Sequence, residues 1–374
     1  MGNLKERWGK WGEKLAPFVL LSPFLFGFIV FFLFAFFRTL YFSFTRYDLF
    51  TAPVWIGLGN YVDLFSEHLF TRALKNSLTY ALIVTPLQTI FAMLLAVTMN
   101  QKMRGIKYIR AAYYMPSVTS SVVITLIFVW LFQRKGLINY LLTMLRQYSG
   151  LISIFLILML VSQLLLIVKE KWKNRPVSYF EPSYIVLSIA FASIVTYLLK
   201  DFGIITIAEV EAVNTIWLNT RETVPGWAGW LSFPRPLGAI MMINIWTTAP
   251  TFMLLYLAGL QDIPKEIYEA AEIDGAKGWH KFWYITVPQL SHITFLVVIM
   301  GLIGTLQMFD QVAIIGFQAP LESTVTLAYY VYHSAFPTTA IPAAGMASAA
   351  AIILAVFTLA IVFVQRIFMR ERRD

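Results

Sequence analysis

Residues 268–290 read YEAAEIDGAKGWHKFWYITVPQL, a charged, glycine-punctuated run closed by a proline and set between two of the most apolar segments of the chain. Glu266, Glu269, Glu272, Asp274, Lys277 and Lys281 crowd this neighbourhood. An unpaired charge costs several kcal/mol in hydrocarbon, so the run belongs in water although its flanks do not. Its local reading is a helix over about 263–274, with Asp262 capping the start and Pro264 in the first turn, where a missing N–H costs nothing. Gly275 tolerates the left-handed conformation that ends a helix, Gly278 permits a second bend, and residues 281–287 form another turn or two before Pro288 opens the next apolar segment. Ala270 and Ala271 leave room for another backbone to approach, and Glu269 beside them suits an arginine on a partner. A solvated loop with no partner also accounts for the charge, so these residues alone leave both readings open.

The rest of the chain puts this run in a membrane protein. Of 374 residues 59% are hydrophobic and 13% charged, and the mean hydropathy of +0.69 lies outside the soluble globular range. The absence of cysteine excludes disulfides, Cys-ligated zinc and a thiol nucleophile, while His68, His280, His292 and His333 have no metal-ligand spacing. The net charge of +9 resides at the ends of apolar runs rather than on one solvated face, which points to a bilayer and not to nucleic acid. A helix crosses the hydrocarbon with about 18 or more apolar residues. By that measure spans are predicted near 16–37, 76–98, 111–132, 151–168, 182–199, 236–260, 293–317 and 341–364, the first a retained anchor rather than a signal peptide. Alternating these spans from an inside N-terminus places 19 of the 29 basic residues inside, so both termini are expected in the cytoplasm. Ahead of the first span, Leu4, Trp8, Trp11 and Leu15 share one face of an interfacial amphipathic helix over 1–15; Gly9 and Gly12 leave a disordered basic tail open as the alternative.

Glu269-Ala270-Ala271, three residues, Gly275, nine residues, Ile285 and then Pro288 resembles the E-A-A-x-x-x-G-x9-I-x-L-P signature of the membrane subunits of ATP-binding cassette importers, the binding-protein-dependent permeases. Val287 replaces the usual leucine before the proline. The stretches SFTRYDLF, WIGLGNYVDLF, KNSLTYALIVTPLQ, YIRAAYYMPSVTSSVV, LAGLQDIPKEIYEAA and LQMFDQVAII are similar to the carbohydrate-uptake group of that family. The resemblance implies an all-α fold, a six-helix permease core plus two inserted transmembrane helices: core helices over 16–146, the insertion over 147–224, and the remaining core with its coupling loop, 261–290, over 225–374. It implies that Glu269, Ala270, Ala271, Asp274, Gly275 and Pro288 couple to a cytoplasmic ATPase. The expected partners are a second permease subunit, two copies of that ATPase, an external solute-binding protein and a carbohydrate substrate. No cofactor is expected on this chain, ATP and magnesium sitting on the ATPase, in keeping with the lack of a G-x-x-x-x-G-K-[ST] phosphate loop. Two departures stand out, the insertion itself and GFQAP at 316–320, where relatives carry a glycine run before a proline.

Polar residues inside spans are candidates for a substrate path. Asn244, Trp246, Thr247 and Thr248 in the sixth span, with Gln307, Asp310 and Gln311 in the seventh, combine aromatic, amide and carboxylate groups suited to sugar hydroxyls. Interhelical hydrogen bonding, with Gly301 and Gly304 as packing sites, explains them as well. The inserted helices, uniformly apolar apart from Gln163, are expected outside the core and away from substrate. The function these readings favour is import of a sugar or oligosaccharide by alternating access, in the inner membrane and without chemistry at this chain. A non-sugar solute such as a polyol phosphate or glycoside is the alternative. A membrane-embedded enzyme requires paired acids, a metal cluster or a nucleophile with its base, for which the sequence offers no constellation.

This topology is directly testable because the native chain lacks cysteine. A cysteine placed at Thr220 is expected to react with a membrane-impermeant thiol reagent from outside, and one at Asn174 only after the inner face is opened. The opposite labelling pattern would remove the two inserted crossings.

Overall fold

In the computed structural model, which describes residues 16–101, 104–173, 182–225 and 231–370, the apolar runs are helical. The expected helix over 1–15 and the proposed labelling site Asn174 lie outside the described residues. The helices used below are α1 (Ala16–Ser43), α2 (His68–Met99), α3 (Ile106–Val118), α4 (Ser121–Leu131), α5 (Leu137–Gln147), α6 (Ser149–Trp172) and α7 (Pro182–Asp201). They continue with α8 (Arg235–Asp262), α9 (Lys265–Ile273), α10 (Ser291–Leu306), α11 (Asp310–Ile315), α12 (Leu327–Ala335) and α13 (Ala344–Arg370). Among the described residues, seven helical runs are long and apolar enough to cross a membrane, with α10 and α11 counted together as Ser291–Gln318.

The eighth expected span is different. Instead of one helix over 111–132, α3 and α4 meet at a bend of 96°. Pro116 lacks the N–H that would continue the ladder, and Thr119 is extended at φ −81°, ψ 147°. The hydroxyls of Ser117 and Thr119 turn back onto the Tyr114 and Met115 carbonyls at 2.8 Å each, closing backbone groups near the break.

Two compact units make up the chain, one from residues up to Phe128 together with Leu218 onward, the other Val129–Trp217. In the first, α2 is the axis. Its small residues Ala92 and Ala96, with Leu95 and Met99, pack against Ala249, Phe252, Met253 and Tyr256 of α8. Small residues let helix backbones approach closely where lipid supplies no hydrophobic drive between helices. At its other end α2 joins Phe70 and Ala73 to Leu327 and Tyr330 of α12 and to Ala349, Ala350 and Ile353 of α13. The Tyr330 hydroxyl donates to the Glu67 carboxylate there. Gly301 packs tightly, since a Cβ on it would lie 2.5 Å from Gln88 Nε2, whereas Gly304 has nothing within 4 Å of such an atom and is not a packing site.

The segment after α1 is tied down by one side chain. Buried Asn60 donates to the Ser43 carbonyl at 2.9 Å and the Thr45 carbonyl at 2.8 Å. Thr45–Arg46 pairs antiparallel with Val54–Trp55, and Gly345 N–H donates to the Tyr47 carbonyl at 3.0 Å, so the start of α13 sits against this turn. In the second unit α6 packs along α7. Buried Asn139 of α5 donates to the Thr215 carbonyl at 2.8 Å and accepts from Trp217 Nε1 at 2.9 Å, fixing the irregular chain that leads out of α7. GFQAP forms a left-handed Gly316 at φ 50°, a single 3-10 turn with Phe317 fully exposed, and Pro320 leading into the helical turn Leu321–Thr324.

A Cβ on Gly345 would fall on the Thr45 carbonyl oxygen, which is backbone already held by Asn60. Gly345→Val is therefore expected to lower the melting temperature and membrane abundance of the protein, by about 1–3 kcal/mol of overpacking cost. Gly304→Val, in open space, is expected to leave both unchanged; equal behaviour of the two variants would contradict this packing.

Candidate functional site

Two features of the first unit gather most of the residues singled out from sequence. The first is the loop between α8 and α10. Asp262 is the last residue of α8 rather than the cap of the following helix, because α8 runs two residues beyond the expected span; Pro264 takes the N-cap position of α9. The end of α9 is a Schellman closure. Ala276 N–H donates to the Ala271 carbonyl at 2.8 Å and Gly275 N–H to the Glu272 carbonyl at 3.0 Å, with Gly275 at φ +78°. The positive φ that the sequence assigned to Gly275 is thus present.

After this turn the chain is helical again over 278–289, including a π-helical turn Phe282–Thr286. Two contacts brace it to α9. Tyr268 and Thr286 hydroxyls are 2.9 Å apart, and Lys281 Nζ lies 2.6 Å from Glu272 Oε1. The ion pair is largely exposed on its Glu272 side and contributes at most about 1 kcal/mol. Tyr268 also packs against the α2–α8 core, so its ring anchors the loop to the helices behind it. Glu269, Ala270, Asp274, Gly275 and Pro288 are exposed and Ala271 is half-buried, with exposed Ile273 and Trp279 beside them. An apolar surface of this kind, rimmed by Glu269, Asp274 and Lys277, has the composition of a protein contact. Tyr268 and Thr286 were not singled out from sequence, since neither residue type marks a brace until the turn at Gly275 folds one arm back on the other.

The second feature is a cavity of about 230 Å³ where the α3–α4 bend faces α8 and α11. Asn244, Thr247, Thr248 and Gln311 line it, joined by Ser117, Thr119, Ser121, Thr125 and Thr251. The remaining three path candidates lie elsewhere. Trp246 packs its ring on Phe128 with centroids 5.4 Å apart, and exposed Gln307 and Asp310 do not line the cavity. The helix pauses at 307–309 between α10 and α11, so residues that would share a face of one continuous helix are separated. On α8, Pro250 removes the hydrogen bond to the Trp246 carbonyl one turn earlier, next to the polar cluster. The sequence alone does not single out the hydroxyls of the bend, since residues 115–121 read as part of a continuous span; Pro116 within a Ser/Thr-rich run is the signal it offers. Among the described residues no group of histidines and carboxylates is placed to hold a metal ion.

This architecture has known counterparts. Crystal structures of bacterial alginate ABC transporters superpose with TM-scores of 0.64 and 0.62 at 20% identity, covering 98% and 97% of this chain and 99% and 97% of theirs; one is described as importing an acidic polysaccharide, the other holds a periplasmic protein bound to an alginate pentasaccharide. In sequence the chain is 27% identical to the probable ABC transporter permease protein YesP of Bacillus subtilis, over 87% of this chain and 81% of the relative. It is 25% identical to the lactose transport system permease protein LacF of Rhizobium radiobacter, over 85% and 82%. The family model of the binding-protein-dependent transport system inner membrane component matches residues 88–374. With the loop signature, the helical architecture and this match in agreement, the chain belongs to the family of inner-membrane components of binding-protein-dependent transport systems.

Proposed function

We propose that this chain is the permease subunit of an ATP-driven importer for a sugar or oligosaccharide, and that the substrate passes the hydroxyl- and amide-lined cavity during alternating access. The cavity is the observation that carries the reading. Its lining gathers Asn, Thr and Gln groups of α8 and α11 around the Ser and Thr groups of the α3–α4 break. A hydrogen bond from such a group contributes about 1 kcal/mol net, so several are needed to replace the water that a polyhydroxylated solute gives up. The lactose permease relative and the alginate transporters support a carbohydrate as the solute.

In this reading both termini and the loop after α8 face the cytoplasm, where Glu269, Ala270, Ala271, Asp274, Gly275 and Pro288 meet one of two ATPase subunits. That partner binds ATP and magnesium. A second permease chain completes the pathway, and an external binding protein delivers the solute. The connection between the two sites is short: α8 carries Asn244, Thr247 and Thr248 and ends at Asp262, with only Ile263 and Pro264 before α9. A displacement of α9 therefore pulls directly on the helix that lines the cavity, with Tyr268 as a second attachment. The experiment that tests the reading is solute-stimulated ATPase activity and uptake by the complete importer in proteoliposomes over a carbohydrate panel; a complex active only toward non-carbohydrate solutes would end it.

Two substitutions isolate the coupling loop. Glu269→Lys is expected to abolish uptake while membrane abundance stays normal, since a cation replaces the carboxylate offered to the ATPase; unchanged uptake would remove this residue from the interface. Gly275→Val meets no neighbour within 4 Å, so its only cost is the positive φ. That cost is about 1–3 kcal/mol, enough to unwind the turn, and uptake is expected to fall accordingly. Gly275→Asn, a residue that accepts the left-handed conformation, is expected to retain most activity. If Val and Asn behave alike, the turn does not set the geometry of coupling.

A further inference from the structure

The cavity's hydrogen-bonding sense discriminates among solutes more finely than its polarity. Hydroxyl groups line it, yet most of their protons are already committed. Ser117 donates to the Tyr114 carbonyl, Thr119 to that of Met115, Thr125 to that of Ser121 at 2.7 Å, and Thr247 to that of Ile243 at 3.0 Å. A hydroxyl has one proton and two lone pairs, so each of these groups turns only acceptor capacity toward the cavity. The donors that remain in the lining are the amide nitrogens of Asn244 and Gln311 and the hydroxyls of Ser121 and Thr251. All are neutral, and among the described residues no Lys, Arg or His lines the cavity. The ionisable residue nearest to the lining in sequence is Asp310, beside Gln311, which is acidic and not basic.

An ionised carboxylate or phosphate is an acceptor only and loses its hydration on entering such a space, where a few neutral donors face it and the committed hydroxyls offer it only lone pairs. Neutral sugar hydroxyls donate as well as accept, and match it. We propose that this section of the pathway passes neutral polyhydroxylated solutes and rejects anionic ones, uronate oligosaccharides and sugar or polyol phosphates alike. This rests on the carbohydrate reading above and narrows it: although the architecture is that of a transporter of an acidic polysaccharide, the lining here is built for an uncharged substrate.

The test uses the complete importer in proteoliposomes with neutral gluco-, galacto- and arabino-oligosaccharides, oligogalacturonates and alginate oligosaccharides of matched length, and glycerol 3-phosphate. Affinity of the external binding protein for each is measured separately, and each is supplied at a concentration that saturates it. Neutral oligosaccharides are expected to be accumulated at least about tenfold faster than any anionic probe. Thr251→Lys, which puts an ammonium at an exposed lining position, is expected to raise the anionic-to-neutral ratio, while Thr251→Gln of similar length leaves it unchanged. Accumulation of an oligouronate by the native importer at a rate comparable to neutral sugars overturns the inference and leaves the carbohydrate reading standing. Uptake of glycerol 3-phosphate with no carbohydrate accumulated overturns both. A ratio unmoved by Thr251→Lys in active protein would show that the substrate does not sense this cavity.

Discussion

Within hydrocarbon there is no water to receive a backbone N–H or C=O, so every interruption of a membrane helix must be closed by some other group or opened onto a polar space. The irregular parts of this protein follow from that constraint. At the α3–α4 bend the hydroxyls of Ser117 and Thr119 accept the closing task, and the backbone opens onto the polar cavity. At the pause after α10, Thr326 Oγ1 donates to the Met308 carbonyl at 2.7 Å. Asn76 of α2 reaches the Val325 carbonyl at 2.9 Å, and Ser77 accepts the Leu327 N–H at 2.8 Å, so the axis of the unit holds the segment beyond the break. At the end of α2 itself, the Arg110 guanidinium donates to the Met99 carbonyl through both Nε and Nη2. A cation at a helix C-terminus is also favoured by the helix dipole.

Burial within the described protein divides the helices into two groups. α1 buries none of its most apolar residues against the described protein, and Phe24 and Phe31 are exposed at 68% and 76%. α6 presents Leu156, Leu160 and Leu164 in the same way. Such surfaces would aggregate in water and are ordinary in a bilayer. α2 and α8, by contrast, have about half of their spans buried, at 44% and 50%, and they carry the small residues that permit close packing. α8 of this pair lines the polar cavity and leads into the loop before α9.

Between cavity and loop the structure runs through α8 and the helix packed against it. Tyr256 of α8 donates to Thr294 of α10 at 3.0 Å, and a Cβ on Gly259 would lie 2.8 Å from Ile293 Cγ1. These two helices are therefore closely packed near the loop, where Gly259 leaves no room for a side chain. Tyr268 extends that packing by one residue type that can be apolar against the core and polar toward Thr286.

Much of this was legible in the residues. Membrane helices announce themselves by length and charge exclusion, and seven of the eight expected spans are helical runs long and apolar enough to cross a membrane, the one over 293–317 with its pause at 307–309. The left-handed Gly275 and the helix before it follow from local backbone chemistry, and the E-A-A signature with Pro288 identified the family. What the residues did not disclose depends on groups distant in sequence. Pro116 with its Ser/Thr neighbours reads as a tolerated proline in a span until α8 and α11 supply the other walls of the cavity. Asn244 and Gln311 look alike to Trp246 and Gln307 as intramembrane polar residues, and only helix rotation and the pause at 307–309 decide which face the shared space. The hydroxyl protons follow local chemistry, each returning to a carbonyl three or four residues earlier in the chain. Residue type and helix thus fix where those protons go, but only the packing of α3, α4, α8 and α11 decides that the groups face one another across a shared space.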